Sequence, residues 1–218
     1  MQKIMFNDQY RLTEAVLEGR KTQTRRIIKC PREFKGEWVA GFNIHIRQSD
    51  KTVVSLPCMY DADEREFDGG EILPRYMVGE IVAIAQSYKD LGYNEMALNI
   101  SPKDWRIVRG TLGKCKGWNN KMFVRPEACV HQIKITNVRI QRLQDISDED
   151  CLAEGIRKIE SNKISKAFGF DNSYEIPNQF PVFDSPREAY AALINRVSGK
   201  GTWESNPWVF VYEFELVK

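Results

Sequence analysis

No two cysteines in this 218-residue chain stand at CxxC spacing, and histidine is nearly absent, with only His45 and His131. The five cysteines, at positions 30, 58, 115, 129 and 151, are odd in number and unpaired in spacing. That pattern argues against a disulfide framework and points to a reducing compartment. Cys129 and His131 are two apart and can face one side of a strand, but no further ligands cluster with them. No metal and no cofactor are therefore expected. Long apolar runs are missing too, and the first residues lack a signal-peptide core, so the expectation is a cytoplasmic protein without a membrane partner. Net charge is equally scarce: 32 Lys and Arg against 30 Asp and Glu leave +2. So neutral a chain is poorly suited to extended duplex binding, which neutralises many phosphates at once. Any anion-binding surface has to be local.

One acid-free segment supplies such a surface. Gly19-Arg-Lys-Thr-Gln-Thr-Arg-Arg26 packs four cations and three hydroxyl or amide side chains into eight residues. A solvated helix face usually interleaves acids with its bases. Concentrated positive charge with hydrogen-bonding groups suits an anionic or strongly polar ligand such as a nucleotide, although an exposed basic turn has the same composition. Further along, residues 61–71 are acidic, so charge is polarised along the chain.

The remaining composition, 42% hydrophobic and 28% charged, is that of a globular protein with one domain over 1–218. Residues 3–6 read as a strand, and Asn7 or Asp8 is placed to cap a helix running to about Glu18. Gly19 then serves as its stop. Residues 36–47 alternate, with Trp38, Ala40, Phe42, Ile44 and Ile46 on one face, and form a predicted hairpin with 52–56. A strand is predicted at 78–84 and irregular chain at 87–128. The apolar alternation between 130 and 143 slips from Ile135 to Val138, which predicts a bulge at Thr136-Asn137. Ser147 is a predicted N-cap for a short acidic helix ending at Gly155. Residues 157–184 are polar with little periodicity. Ser185-Pro-Arg-Glu188 has the form of a capping box with Pro at N1, opening a helix with Tyr190, Leu193, Ile194 and Val197 on one face. The closing run gathers Phe210, Tyr212, Phe214 and Leu216 on one side of a core strand. Strands with a few short helices fit an α+β fold built on a small curved sheet or barrel.

Polar groups gather beside predicted turns at three places: the basic run, Trp118-Asn-Asn-Lys121, and the acidic stretch from Asp145 to Glu154. A partly desolvated Lys21 beside Arg25 and Arg26 loses proton affinity and can act as base toward Thr24, while an arginine can hold an oxyanion. Residues three apart in a regular strand point to opposite faces, so this dyad requires residues 21–24 to turn or bulge. The ordinary alternatives are a strand residue for Thr24 and a surface helix acid for Glu154.

Four blocks carry a resemblance to a known family. They are Leu17-Glu-Gly-Arg-Lys-Thr-Gln-Thr-Arg-Arg26, Val78-Gly79-Glu80, the stretch from Val138 to Ile156, and Trp203 to Phe214. In this order they resemble the ASCH domain family, whose fold is a PUA-like β-barrel, and in particular its longer phage and prophage members. The resemblance implies a single ASCH/PUA-like domain with short peripheral helices and insertions at about 30–77, 89–117 and 157–184. The family motif Gly-x-Lys-x-x-Glu-x-Arg is met by Gly19, Lys21 and Arg26, while Thr24 stands where the general motif has Glu. Members with Lys and Thr at these positions are similar to N4-acetylcytidine amidohydrolases. The resemblance then implies Thr24 as nucleophile, Lys21 as base and Glu154 as third catalytic member. Arg25, Arg26, Trp118 and Lys121 are the candidate substrate-binding residues. The expected partner is a nucleoside, a nucleotide or RNA. A non-catalytic RNA or nucleotide binding module, with Trp118 as a stacking aromatic, and a nuclease both stay open.

Overall fold

The computed structural model describes residues 1–91, 116–159 and 173–217. Its centre is a mixed five-stranded sheet in the order β1-β8-β9-β12-β2. The strands are β1 (Gln2–Ile4), β2 (Gln23–Ile27), β8 (Ile81–Ile84), β9 (Gln132–Arg142) and β12 (Trp208–Leu216). Only β1 and β8 run parallel; the other neighbours are antiparallel. Smaller ladders lie outside it. β3 (Glu33–Phe34) pairs with β4 (Glu37–Trp38), and β5 (Gly41–Asn43), β6 (Cys58–Tyr60) and β7 (Glu66–Glu71) form a three-stranded sheet. β10 (Arg157–Ile159) pairs with β11 (Ser173–Glu175).

The α+β class holds, but the sheet is not closed into a barrel. β1 and β2 are its two edges, and no ladder joins them among the described residues. The sheet nevertheless curls enough for the edges to meet through a side chain: Arg26 Nη2 donates to the carbonyl of Met5 at 2.7 Å. Strand twist accumulates over five strands, and a bulge adds to it. That bulge falls at the predicted place. Glu213 pairs with Asn137 and Phe214 with Ile135, so Thr136 is the extra residue.

Helices cover the sheet. The first predicted helix is split, because Arg11 takes a left-handed conformation between a 3-10 turn at Asp8–Tyr10 and α1 (Leu12–Leu17). Ser147 caps α2 (Asp148–Ala153) by accepting from Asp150 N, and Ser185 caps α3 (Pro186–Ser198) by accepting from Glu188 N, both as predicted. A short α4 (Thr202–Ser205) precedes β12. One core joins sheet and helices, with Ile4, Val16, Ile84, Ile133, Ile135, Leu143, Tyr190, Val209 and Val211 all buried. Each such aliphatic contributes about 1.5–3 kcal/mol by leaving water.

Other expectations are corrected. The hairpin predicted between 36–47 and 52–56 is replaced by a ladder of β5 with β6, where Phe42 pairs with Met59, and only an isolated bridge joins Ile46 to Val53. Trp38 is exposed rather than on a core face. The polar stretch 157–184 holds a two-stranded ladder, whose short arms give too few residues for periodicity to register. Val197 and Leu216 lie at exposed ends of their elements. Most of the predicted insertion at 89–117 lies outside the described residues.

Gly155 connects the fold to the site. It follows α2 with φ +107°, and a Cβ there would sit 3.0 Å from Leu12 Cδ2 and 3.6 Å from Lys21 Cδ. Both the backbone and the packing require glycine. Gly155→Ala is expected to destabilise the protein by about 1–3 kcal/mol, read from chemical denaturation midpoints.

Candidate functional site

The basic run begins where α1 stops. Gly19, at φ +73°, donates its N–H to the Val16 carbonyl and ends the helix. The next two amides, of Arg20 and Lys21, both donate to the Ala15 carbonyl, and Thr22 N donates to Ala153 O at the end of α2. Residues 20–22 are thereby folded into a turn against α2 before β2 starts at Gln23. This is the turn that the Lys21–Thr24 spacing demanded.

Lys21 is 2% exposed and reaches the C-terminal end of α2. Its Nζ donates to Glu154 Oε2 at 2.6 Å, to the Glu154 carbonyl at 2.7 Å and to the Gln23 carbonyl at 2.7 Å. An ammonium has three donors, and all three are used. The cation also meets the partial negative charge of the helix terminus. Burial pulls the proton affinity of Lys21 below its usual value of 10.5, against the opposing pull of the Glu154 charge.

Glu154 in turn joins a second network. Its Oε1 accepts from Arg25 Nη1 at 3.0 Å, and Arg25 Nη2 donates to Asp150 Oδ2 at 2.6 Å. Asp150 Oδ2 also accepts from Arg139 Nη2 at 2.8 Å, and Asp150 Oδ1 accepts from Gln23 Nε2 at 2.9 Å. Arg139 Nε donates to Glu213 at 3.2 Å. Three cations thus balance three acids. The buried Arg25 Nε has no hydrogen-bond partner among the described residues, and the guanidinium lies 6.0 Å from the Tyr190 ring.

β2 divides its side chains between two faces. Arg25 lies opposite Val211, which lies opposite Arg139, so both arginines share the face of the ion network. Thr24 and Arg26 pair with Tyr212 and Phe210 on the other face. There a cleft of about 860 Å³ opens, lined by Lys21, Thr24, Arg26, Glu154, Phe6, Tyr76, Tyr190, Phe210 and Tyr212 among others. Its volume is in the range of small-molecule sites. The α3 face with Tyr190, Leu193, Ile194 and Val197 forms an apolar wall. Cations dominate its charge: among the described residues Lys3, Lys21, Arg25, Arg26, Lys29 and Arg75 line it against the single acid Glu154.

Against known protein families, curated proteins and solved structures, the chain has no match. What the site can do rests on its own chemistry.

Of the candidate residues, Lys21, Thr24, Glu154, Arg25 and Arg26 come together at the cleft. Thr24 is buried, and its hydroxyl makes no hydrogen bond among the described residues, including none to Lys21. Arg25 serves the ion network and has little left for a ligand. Trp118 and Lys121 do not line the cleft. Trp118 packs on a separate small cluster with Ala83, Tyr88, Val124 and Cys129. Lys121 donates to the Phe6 carbonyl, to Asp8 at 2.8 Å and to Thr13 at 3.3 Å. It is a clamp between the 121–124 turn and the N-terminal segment. Among the described residues no three His, Cys, Asp or Glu side chains converge as metal ligands, and no helix is long and apolar enough to cross a membrane.

The sequence reading missed Tyr190 as a cleft residue, and it missed Arg139 and Asp150 in the network. Asp150 and Glu154 are four apart on one helix face, a spacing that announces a shared partner. Burial and the Glu154 charge hold the Tyr190 phenol well above its usual value, so it stays protonated. The Cys151 thiol on α2 is pushed up to about 12 by burial and is no thiolate nucleophile at neutral pH.

Glu154→Gln leaves the buried Lys21 without its carboxylate while Arg25 keeps only Asp150, and a loss of about 3–5 kcal/mol in denaturation free energy is expected. Below 10.5 the unfolded chain holds a Lys21 proton more tightly than the folded one. Stability contributed by Lys21 therefore rises with pH as it climbs toward 10.5. Wild type should gain on Lys21→Met in denaturation midpoints as pH rises toward 10.5.

Proposed function

We propose that the cleft hydrolyses an acyl amide on a modified nucleoside of the N4-acylcytidine kind, with Thr24 as nucleophile. The observation that carries this reading is an unpartnered Thr24 hydroxyl lining the same cleft as a desolvated Lys21–Glu154 pair. An aromatic and aliphatic wall suits a planar base, and the cationic wall suits polar oxygens.

In this mechanism a proton first shifts from Lys21 Nζ to Glu154 Oε2 along their 2.6 Å hydrogen bond. A dry site favours the neutral amine and acid over separated charges. The amine then removes the Thr24 hydroxyl proton as Oγ1 attacks the acyl carbon. Arg26 or the protonated Tyr190 faces the developing oxyanion. Collapse breaks the C–N bond, and the Glu154 proton goes to the departing amine. An acyl ester on Thr24 remains; Lys21 passes its proton to Glu154 again, takes the proton of the attacking water, and returns it to Thr24 Oγ1 as the ester bond breaks, after which the Glu154 proton goes back to Lys21. The sum is amide plus water to amine plus carboxylic acid.

The finer architecture belongs to the same reading: a PUA-like barrel of the ASCH type, left open between β1 and β2 and bridged there by Arg26. One observation favours a second reading, a binding module for nucleotide or RNA without catalysis. All three Lys21 protons are already held by acceptors, so a base has to be released before it can act.

Acyl release from N4-acetylcytidine by the purified protein decides between them. Hydrolysis should be lost by at least about 10³-fold in Thr24→Ala and in Lys21→Met. A folded wild type that binds nucleoside and releases no acyl group would leave the binding module standing.

A further inference from the structure

The cleft's cations are unequally committed. Lys21 and Arg25 are neutralised by Glu154 and Asp150. Lys3 is consumed by the carbonyls of Lys121, Met122 and Val124. Arg26, Lys29 and Arg75 also line the cleft, and none has a carboxylate partner among the described residues. Arg26 gives one N–H to the Met5 carbonyl and keeps the rest of its donors.

Arg75 is held through its backbone, not its side chain. Its N–H donates to the Tyr212 hydroxyl at 2.9 Å, and its carbonyl accepts from Gln2 Nε2 at 3.0 Å. The guanidinium is left over the Tyr76 ring, 5.5 Å from its centroid. Tyr76 and Tyr212 meet edge to face at 5.3 Å, and Arg26 is close enough for its charge to act on both phenols. Arg26 and Arg75 thus converge on one aromatic pair. Arg26 is two residues along β2 from Thr24 on the same strand face, about 7 Å away at the backbone.

Two guanidiniums and an ammonium without acids, beside a planar aromatic wall, are the complement of a phosphate carried on a base. We propose that the Arg26–Arg75 end of the cleft, with Lys29, is a phosphate subsite, so that the ligand is a nucleoside monophosphate rather than a free nucleoside. This rests on the reading of the cleft as a nucleoside site but not on hydrolysis there. Burial of the ring on the α3 wall and charge at the far end would act together.

The test is calorimetric titration of the full chain with cytidine 5′-monophosphate, cytidine and ribose 5-phosphate. The monophosphate should bind at least roughly tenfold more tightly than either of the other two. Its advantage over cytidine should shrink as salt rises. Arg75→Ala is the cleaner variant, since both structural hydrogen bonds of residue 75 are main-chain and survive it. It should remove most of the advantage over cytidine while leaving cytidine binding unchanged. Equal affinity for nucleotide and nucleoside would overturn the subsite, and ribose 5-phosphate binding as tightly as the nucleotide would overturn a nucleoside monophosphate as its ligand. An Arg75→Ala variant that weakens cytidine and its phosphate alike would also overturn the subsite. Nucleotide preference without acyl release would sink the hydrolase alone, whereas acyl release with no nucleotide preference would sink the subsite alone.

Discussion

The buried pair of Lys21 and Glu154 is the constraint on which the site depends. Two charges removed from water cost several kcal/mol each, and only close partners and full hydrogen bonding offset that. Lys21 meets the condition with one carboxylate and two carbonyls. Those three acceptors come from the start of β2 and the end of α2, and Lys21 and Glu154 are 133 residues apart in the chain. The pair therefore fixes where the edge strand meets the helix. It also fixes the turn at residues 20–22 that swings Thr24 toward the cleft.

Period-two alternation on β2 then separates structure from chemistry. Arg25 goes to the face where Asp150, Arg139 and Glu213 wait, and there it serves a balanced ion network. Thr24 and Arg26 go to the face of Phe210 and Tyr212, where polar groups are left open beside aromatic rings. The curl of the sheet brings the N-terminal segment across as the opposite wall, through the contact of Arg26 with Met5 and of Phe6 with Phe214 at 5.7 Å. Cleft and fold are thus the same feature seen from two sides.

Local rules were the legible part. The Thr136 bulge showed as a slip in apolar spacing, and the Ser147 and Ser185 caps showed as hydroxyls three residues ahead of an acid. Gly19 marked a helix stop. The first helix failed as a single element because Arg11 turns left-handed, which no spacing of apolar residues records. Trp118 and Lys121 looked like ligand contacts from type alone. Their packing assigns them to a small apolar cluster and to a backbone clamp.

By itself, the sequence determined which side chains are chemically able: an acid-free run with Lys21 and Thr24, and an acidic helix ending in Glu154. Those are properties of residue type and short-range periodicity. Tertiary structure alone decided which of the cations are spent and which are free. Lys3, Lys21, Arg25 and Lys121 are neutralised or capped by partners far away in the chain, while Arg26 gives a single N–H to the Met5 carbonyl and neither it nor Arg75 has a carboxylate partner among the described residues. Charge pairing depends on distance and burial in three dimensions, and both arise only when the sheet curls and α2 docks on its edge.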